Sequence, residues 1–313
     1  MIVVCGEALV DLVPLQDRGT YAARPGGSPA NVSVGLGRLG IGVTLLSRIA
    51  DDGFGRLLRA HLTDSRVDLS IAVSAREPTT LAVVTLDPAG GAEYVFYVEG
   101  SADGAWQPAE LPGALPDSAV SLHVSGSLAL AIPAMGDTLE LLLRRERPRR
   151  TLTFDPNLRP QLARDPVRLR TRLDQWIAQM DVVKISSDDL AWLVPGEPIE
   201  AVAAHWHSRG PVLVVVTRGA EGVHAIGPAG PVDLPGSQVR VADTVGAGDA
   251  FMSGLLAALD RAGRLPRDRL AAIPAATLTS ALAYAQQVAA ITCTRTGSDP
   301  PWQGELNSED ERR

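Results

Sequence analysis

Val212-Leu213-Val214-Val215-Val216-Thr217 is apolar up to its last residue and mostly β-branched, with no polar side chain at alternate positions. A run of this length and composition reads as a strand buried on both faces. Similar runs occupy residues 2–5, 43–49, 120–124, 151–154 and 182–185. Segments of helical period lie between and after them, at 28–39, 53–64, 133–145, 166–179, 199–208, 246–262 and 267–291. Ser28-Pro29 supplies an N-cap and a first-turn proline for the first helix. Buried strands alternating with helices predict an α/β fold with a mainly parallel sheet covered on both sides.

Residues 10–26 and 71–100 break that rhythm. Two alternating stretches, 80–86 and 93–98, flank Pro88-Ala89-Gly90-Gly91 in a hairpin pattern. The expected division is a main domain of residues 1–9, 27–70 and 101–304, a small β lid of 10–26 and 71–100, and a flexible tail of 305–313. Val83, Val84, Tyr94, Phe96 and Tyr97 give the small sheet an apolar face, which covers a ligand, meets a second subunit in a homodimer, or packs as an ordinary hairpin.

The 313 residues carry a formal charge of −7, so no broad basic field exists to hold a nucleic-acid backbone. No apolar stretch is long enough for a membrane span, and acids at Glu7 and Asp11 follow the first apolar run too closely for a signal peptide. A cytoplasmic location is expected. Cys5 and Cys293 have no metal-ligand spacing and read as packing residues. Lys184 is the one lysine among 29 basic residues. Either a compact ammonium is needed there or the residue stands at a strand end by chance.

Asp243-Thr244-Val245-Gly246-Ala247-Gly248-Asp249 opens a helical segment. Bare glycines at a helix start leave amides free to meet negative charge, as phosphoryl transfer requires. Asp249 in the first turn is placed to take a proton from a hydroxyl, unless both acids merely complement the helix start. Gly26-Gly27-Ser28-Pro29-Ala30-Asn31 lets backbone approach a ligand closely and offers the Asn31 amide to hydroxyls. Asp11 follows the first strand, near the strand ends where open α/β sheets bind ligands.

These segments resemble the signatures of the PfkB carbohydrate kinases, over residues 2 to 299. The resemblance implies a ribokinase-like three-layer sandwich with a small β-sheet lid, which transfers the γ-phosphoryl of ATP to a sugar hydroxyl. By the same resemblance Asp249 is the base, and Gly246, Ala247 and Gly248 form the anion hole. Asp11, Gly26, Gly27 and Asn31 meet the sugar. Asp243 with the carbonyls of Val245, Thr292, Arg295 and Gly297 holds a monovalent cation such as K+. Thr217, Gly219 and Gly222 match the turn beside the nucleotide phosphates.

The family's Asn-x-x-Glu motif, which organises Mg2+ and phosphates, reads here Ser186-Ser187-Asp188-Asp189. Asp189 keeps a shorter carboxylate, Ser186 replaces the amide, and Lys184 is positioned to add charge near the phosphates. Phe154-Asp155-Pro156-Asn157-Leu158-Arg159-Pro160 resembles a segment of fructokinases and 2-keto-3-deoxygluconate kinases, with Arg159 reaching the sugar. Ketodeoxygluconate kinases carry an arginine two residues before Gly-Ser-Ala. Here Val98 and Glu99 precede Gly100-Ser101-Ala102, which favours a neutral ketohexose, fructose first. The open alternatives are ketodeoxygluconate kinase, ribokinase, nucleoside kinase and a sugar-binding protein without turnover.

Overall fold

The structure is a computed structural model that describes residues 1–15, 17, 19–86 and 92–310. Its main sheet has the strand order Gly230–Leu234, Val223–Gly227, Leu213–Thr217, Val182–Ser186, Thr151–Asp155, Ser121–Ser125, Ile2–Cys5, Val43–Leu46. Every neighbouring pair is parallel from Leu213–Thr217 to Val43–Leu46, and the first two strands form an antiparallel hairpin. Alternate residues of each buried strand serve opposite faces. Ile2, Val4, Val182, Leu213 and Val215 pack with the helices Ser28–Arg38, Ala247–Arg261 and Ala275–Cys293. Val3, Cys5, Val183, Val214 and Val216 join the opposite core, where Phe154 meets Trp176 edge-on at 5.6 Å. The α/β reading with a mainly parallel sheet is therefore borne out.

A second sheet has the order Tyr21–Gly26, Leu9–Pro14, Leu81–Leu86, Ala92–Tyr97. The expected turn Pro88-Ala89-Gly90-Gly91 lies outside the described residues. Cross-strand pairing of Val84 with Tyr94 and of Ala82 with Phe96 puts these residues on one face. Val83 with Val95 and Leu81 with Tyr97 occupy the other. The single apolar face expected from sequence is thus two faces, because side chains alternate along a strand.

Three expected elements differ in detail. The stretch 43–49 breaks at Ser47, and Arg48–Ala50 pairs instead with Val73–Ala75 in a separate two-stranded sheet. There the buried Arg48 guanidinium donates to the Ala102 carbonyl and to Glu77 and Glu110, a set of partners a core strand could not provide. The helix expected over 267–291 divides into Arg267–Leu270 and Ala275–Cys293, separated before Pro274, which has no N–H to continue a helix. Gln303–Asp310 is helical where sequence suggests a flexible tail, and Glu305 helps by accepting from the Trp302 amide and pairing with Arg295. No helix among the described residues is long and apolar enough to cross a membrane.

Candidate functional site

Strand order reverses direction around Ile2–Cys5, which lies between Ser121–Ser125 and Val43–Leu46. Such a switch point opens a crevice at the carboxyl ends of the strands. A cavity of about 260 Å³ lies there. Glu7 and Asp155 line it from the strand ends, Asp11, Tyr94 and Phe96 from the small sheet, Asn157 and Arg159 from the loop after Asp155, and Gly246, Gly248 and Asp249 from the glycine turn.

Gly246 is left-handed (φ +76°), and a Cβ there would stand 2.1 Å from Ser298 Oγ. Only glycine makes this turn without displacing Ser298. The Ala247 amide is already held by the Thr244 carbonyl at 3.2 Å. Asp249 lies in the first turn of the Ala247–Arg261 helix and is buried. Ser28 Oγ donates to its Oδ1 at 2.6 Å and Asn31 Nδ2 to its Oδ2 at 2.9 Å. Ser28 is therefore not the expected N-cap. Gly27 (φ +97°) takes that place, and Ser28 is the first helical residue. Its hydroxyl is then free for Asp249 on the facing helix.

Burial pushes the Asp249 carboxyl up from its ordinary value, against the hydrogen bonds from Ser28 and Asn31, which favour the anion. Asp155 adds to the rise and Lys184 opposes it. Burial likewise raises Asp11 to about 6, with Arg159 pulling back. Glu7 rises to about 8: burial leads, its own amide and Arg159 oppose, and Asp103 and Asp249 reinforce. Its Oε2 is buried with no hydrogen-bond partner among the described residues.

Ser186 and Thr217 end neighbouring strands in register. Ser186 Oγ caps the next helix by accepting from the Asp189 amide at 3.0 Å. Asp189 is raised to about 6, chiefly by burial, then by Asp155, with Lys184 opposing. Gly219 and Gly222, both at positive φ, bracket the turn after Thr217. Ser186, Asp189, Thr217, Gly219 and Gly222 do not line the cavity, whereas Asp11, Gly27, Asn31, Arg159, Gly246 and Gly248 do. Asp243 joins two loops, accepting from the Val245 amide at 3.0 Å and from the Gly297 amide at 2.8 Å. Of the carbonyls expected to join Asp243 around a monovalent cation, that of Thr292 accepts from the Arg295 amide at 3.0 Å and that of Gly297 from the Asp299 amide at 2.9 Å. Among the described residues no group of three His, Cys, Asp or Glu is arranged for a metal ion.

The pfkB family carbohydrate kinase model matches residues 1–303. The chain belongs to that family. This carbohydrate kinase is 39% identical to a fructokinase of Rhizobium leguminosarum bv. trifolii, over 87% of its own length and 84% of the relative's. A solved fructokinase of Xylella fastidiosa with bound ATP superposes with a TM-score of 0.90 at 27% identity, covering 100% of this chain and 99% of that one. A Vibrio cholerae fructokinase in fructose-, ADP- and calcium-bound form gives 0.84 at 31% identity, covering 98% of each chain.

Sequence reasoning overlooks several residues of this kinase's site. Ser28 is legible as a polar neighbour of Pro29 but not as the partner of a residue 221 positions away. Asp155 stands within a segment whose sequence points only to Arg159, yet it lines the cavity and pairs with Lys184. Glu7 gives one usable signal, an acid immediately after an apolar strand.

Because Glu7 is raised, its neutral form stabilises the fold fully below about pH 4.5, and that stability is lost as pH rises through about 8. Thermal unfolding between pH 5 and 8.5 is expected to show a midpoint that falls with pH, and Glu7→Gln should flatten the fall. Asp11 and Asp103, raised to about 6 and 7, leave some slope in the variant. Parallel curves for parent and variant would show that Glu7 is already ionised.

Proposed function

We propose that this carbohydrate kinase is a fructokinase, which transfers the γ-phosphoryl of ATP to a fructose hydroxyl with Asp249 as general base. The observation that carries the reading is a buried carboxylate fixed at both oxygens on the cavity floor, in the first turn of a helix that begins with glycines. The sugar hydroxyl oxygen attacks the γ-phosphorus, its proton passes to Asp249, and the bond to the β-phosphate oxygen breaks to leave ADP. Burial brings the base nearer to working pH than a solvated aspartate, which improves proton acceptance in the transition state.

Gly246, Ala247 and Gly248 supply backbone dipoles for the developing charge. Asp11, Gly27, Asn31 and Arg159 bind the sugar, while Tyr94 and Phe96 cover its C–H surface; Gly26, outside the cavity lining, leaves room for the Asp11 carboxylate, which a Cβ there would approach to 2.3 Å. Ser186, Asp189, Thr217, Gly219 and Gly222 face the nucleotide, and Asp189 would help hold a Mg2+ ion bound with ATP, which would neutralise phosphate charge. A K+ ion held by Asp243 and the nearby carbonyls would steady the glycine turn. The substrate preference follows from charge. Asp11 and Asp249 line the cavity beside Arg159, with Asp155 paired to Lys184 and Glu7 held toward its neutral form by burial. Val98 is buried, and Glu99 lies at the surface 3.7 Å from Arg164. A carboxylate substrate would meet more repulsion than attraction, so a neutral ketohexose fits better. The outer face of the small sheet, with Tyr97 59% and Val95 47% exposed, pairs two copies into a homodimer. Unpaired cysteines and the acidic surface suit the cytoplasm.

Asp249→Asn is expected to keep fold and sugar affinity and lower kcat at least about a hundredfold; turnover within severalfold of the parent removes Asp249 as base. The kcat/KM for fructose should exceed that for 2-keto-3-deoxygluconate by about tenfold or more, the worth of one charge-assisted contact, and a higher value for the acid overturns the substrate assignment. Rates in potassium buffer should exceed those in a large organic cation, and equality would dismiss the cation site. In sedimentation, Tyr97→Asp should shift a dimer to monomer, whereas a parent that sediments as a monomer rejects the pairing.

A further inference from the structure

Lys184 stands alone among 28 arginines, and its surroundings give a steric reason. Its Nζ donates to Asp155 Oδ2 at 2.8 Å, with the two side chains 4% and 1% exposed. A Cβ added to Gly248 would be 2.9 Å from the same Nζ. The ammonium therefore lies against the start of the helix that carries Asp249, where the broad guanidinium fork of arginine would displace backbone. The other Asp155 oxygen accepts from the Asn157 amide at 3.2 Å. Asn157 has a positive φ of 41° and its side-chain oxygen accepts from Arg159 at 2.8 Å. One buried ion pair thus connects the loop that brings Arg159 into the cavity with the glycine turn on the other side.

We propose that the Lys184–Asp155 pair is a positioning device for phosphoryl transfer, which locks the Asp155–Arg159 loop against the glycine turn and acts on Asp249 with two opposed charges. This role differs from the nucleotide contact read for Lys184 in the sequence, and it rests on Asp249 being the base. Lys184 favours the Asp249 anion and Asp155 disfavours it. Glu7, Asp11 and Arg159 also face the cavity around Asp249, and Ser28 and Asn31 bind it directly. None of these residues is itself substituted in the variants at 155 or 184, although Arg159 is carried on the loop that the pair holds.

The experiment is the pH dependence of kcat/KM with fructose for parent, Lys184→Met, Asp155→Asn and Asp249→Asn. Removing the cation should move the acid limb up by about one pH unit, and removing the Asp155 charge should move it down by a similar amount, the scale of one nearby charge. A pair that merely stabilises the fold would lower the melting temperature and leave the limb in place. If Lys184→Met yields no folded enzyme, Asp155→Asn decides alone. An unmoved or upward-shifted limb in that variant overturns the proposal while Asp249→Asn still abolishes turnover. Full turnover in Asp249→Asn is a different failure, because it removes the base and with it the group on which the pair acts. Lys184→Arg adds a second readout: the limb should stay, since charge is kept, while the KM for fructose rises severalfold as the larger head displaces the loop. An unchanged KM would show that the fit against Gly248 is not what excludes arginine.

Discussion

The hydrogen bonds from Ser28 and Asn31 to the two oxygens of Asp249 join the first long helix to the helix that begins at Ala247. A buried carboxylate without such donors would be strongly disfavoured as an anion. The two helices must therefore pack so that Ser28 and Asn31, three positions apart on one helical face, both meet the same carboxylate. Close approach is helped by small residues where they touch: a Cβ on Gly35 would stand 2.2 Å from Ser253 Oγ. The glycines before each helix serve the same arrangement, since Gly27 and Gly246 both turn at positive φ to start their helices beside the cavity.

The electrostatics of the cavity follow from this packing. Glu7, Asp11, Asp155 and Asp249 crowd around one small volume, and the protein balances them with Arg159, Lys184 and hydrogen bonds. Asp155 is held by a direct ion pair, and burial pushes Asp11 up to about 6 and Glu7 to about 8. Carboxyls lining a single site thus hold protons with different tenacity. Under the proposed function, that spread lets Asp249 serve as the base while other carboxyls bind hydroxyls.

The buried strands were legible because a parallel sheet covered on both faces demands uninterrupted apolar residues, and β-branched runs such as 212–217 satisfy no other short element so well. The glycine turns were legible because few residues tolerate their backbone. What could not be read were partners distant in sequence: Ser28 with Asp249, Lys184 with Asp155, Arg48 with Glu77 and Glu110. Local pattern says that a polar residue is near an element's end, and only packing says which charge it faces. The antiparallel strands Val223–Gly227 and Gly230–Leu234 were missed for a related reason, since the second is half-buried and carries no continuous apolar run.

The small sheet is assembled from two separate stretches of chain, Leu9–Gly26 and Leu81–Tyr97, whose strands Leu9–Pro14 and Leu81–Leu86 pair in its middle. The backbone consequently passes between the two sheets four times. For recombination this is a severe topology, because no single inserted cassette can exchange the whole cover of the cavity between two such enzymes without also carrying Ser28–Arg38, Val43–Leu46 and Gly53–Asp64 of the main body. Change in that cover is left to point substitution, one strand position at a time.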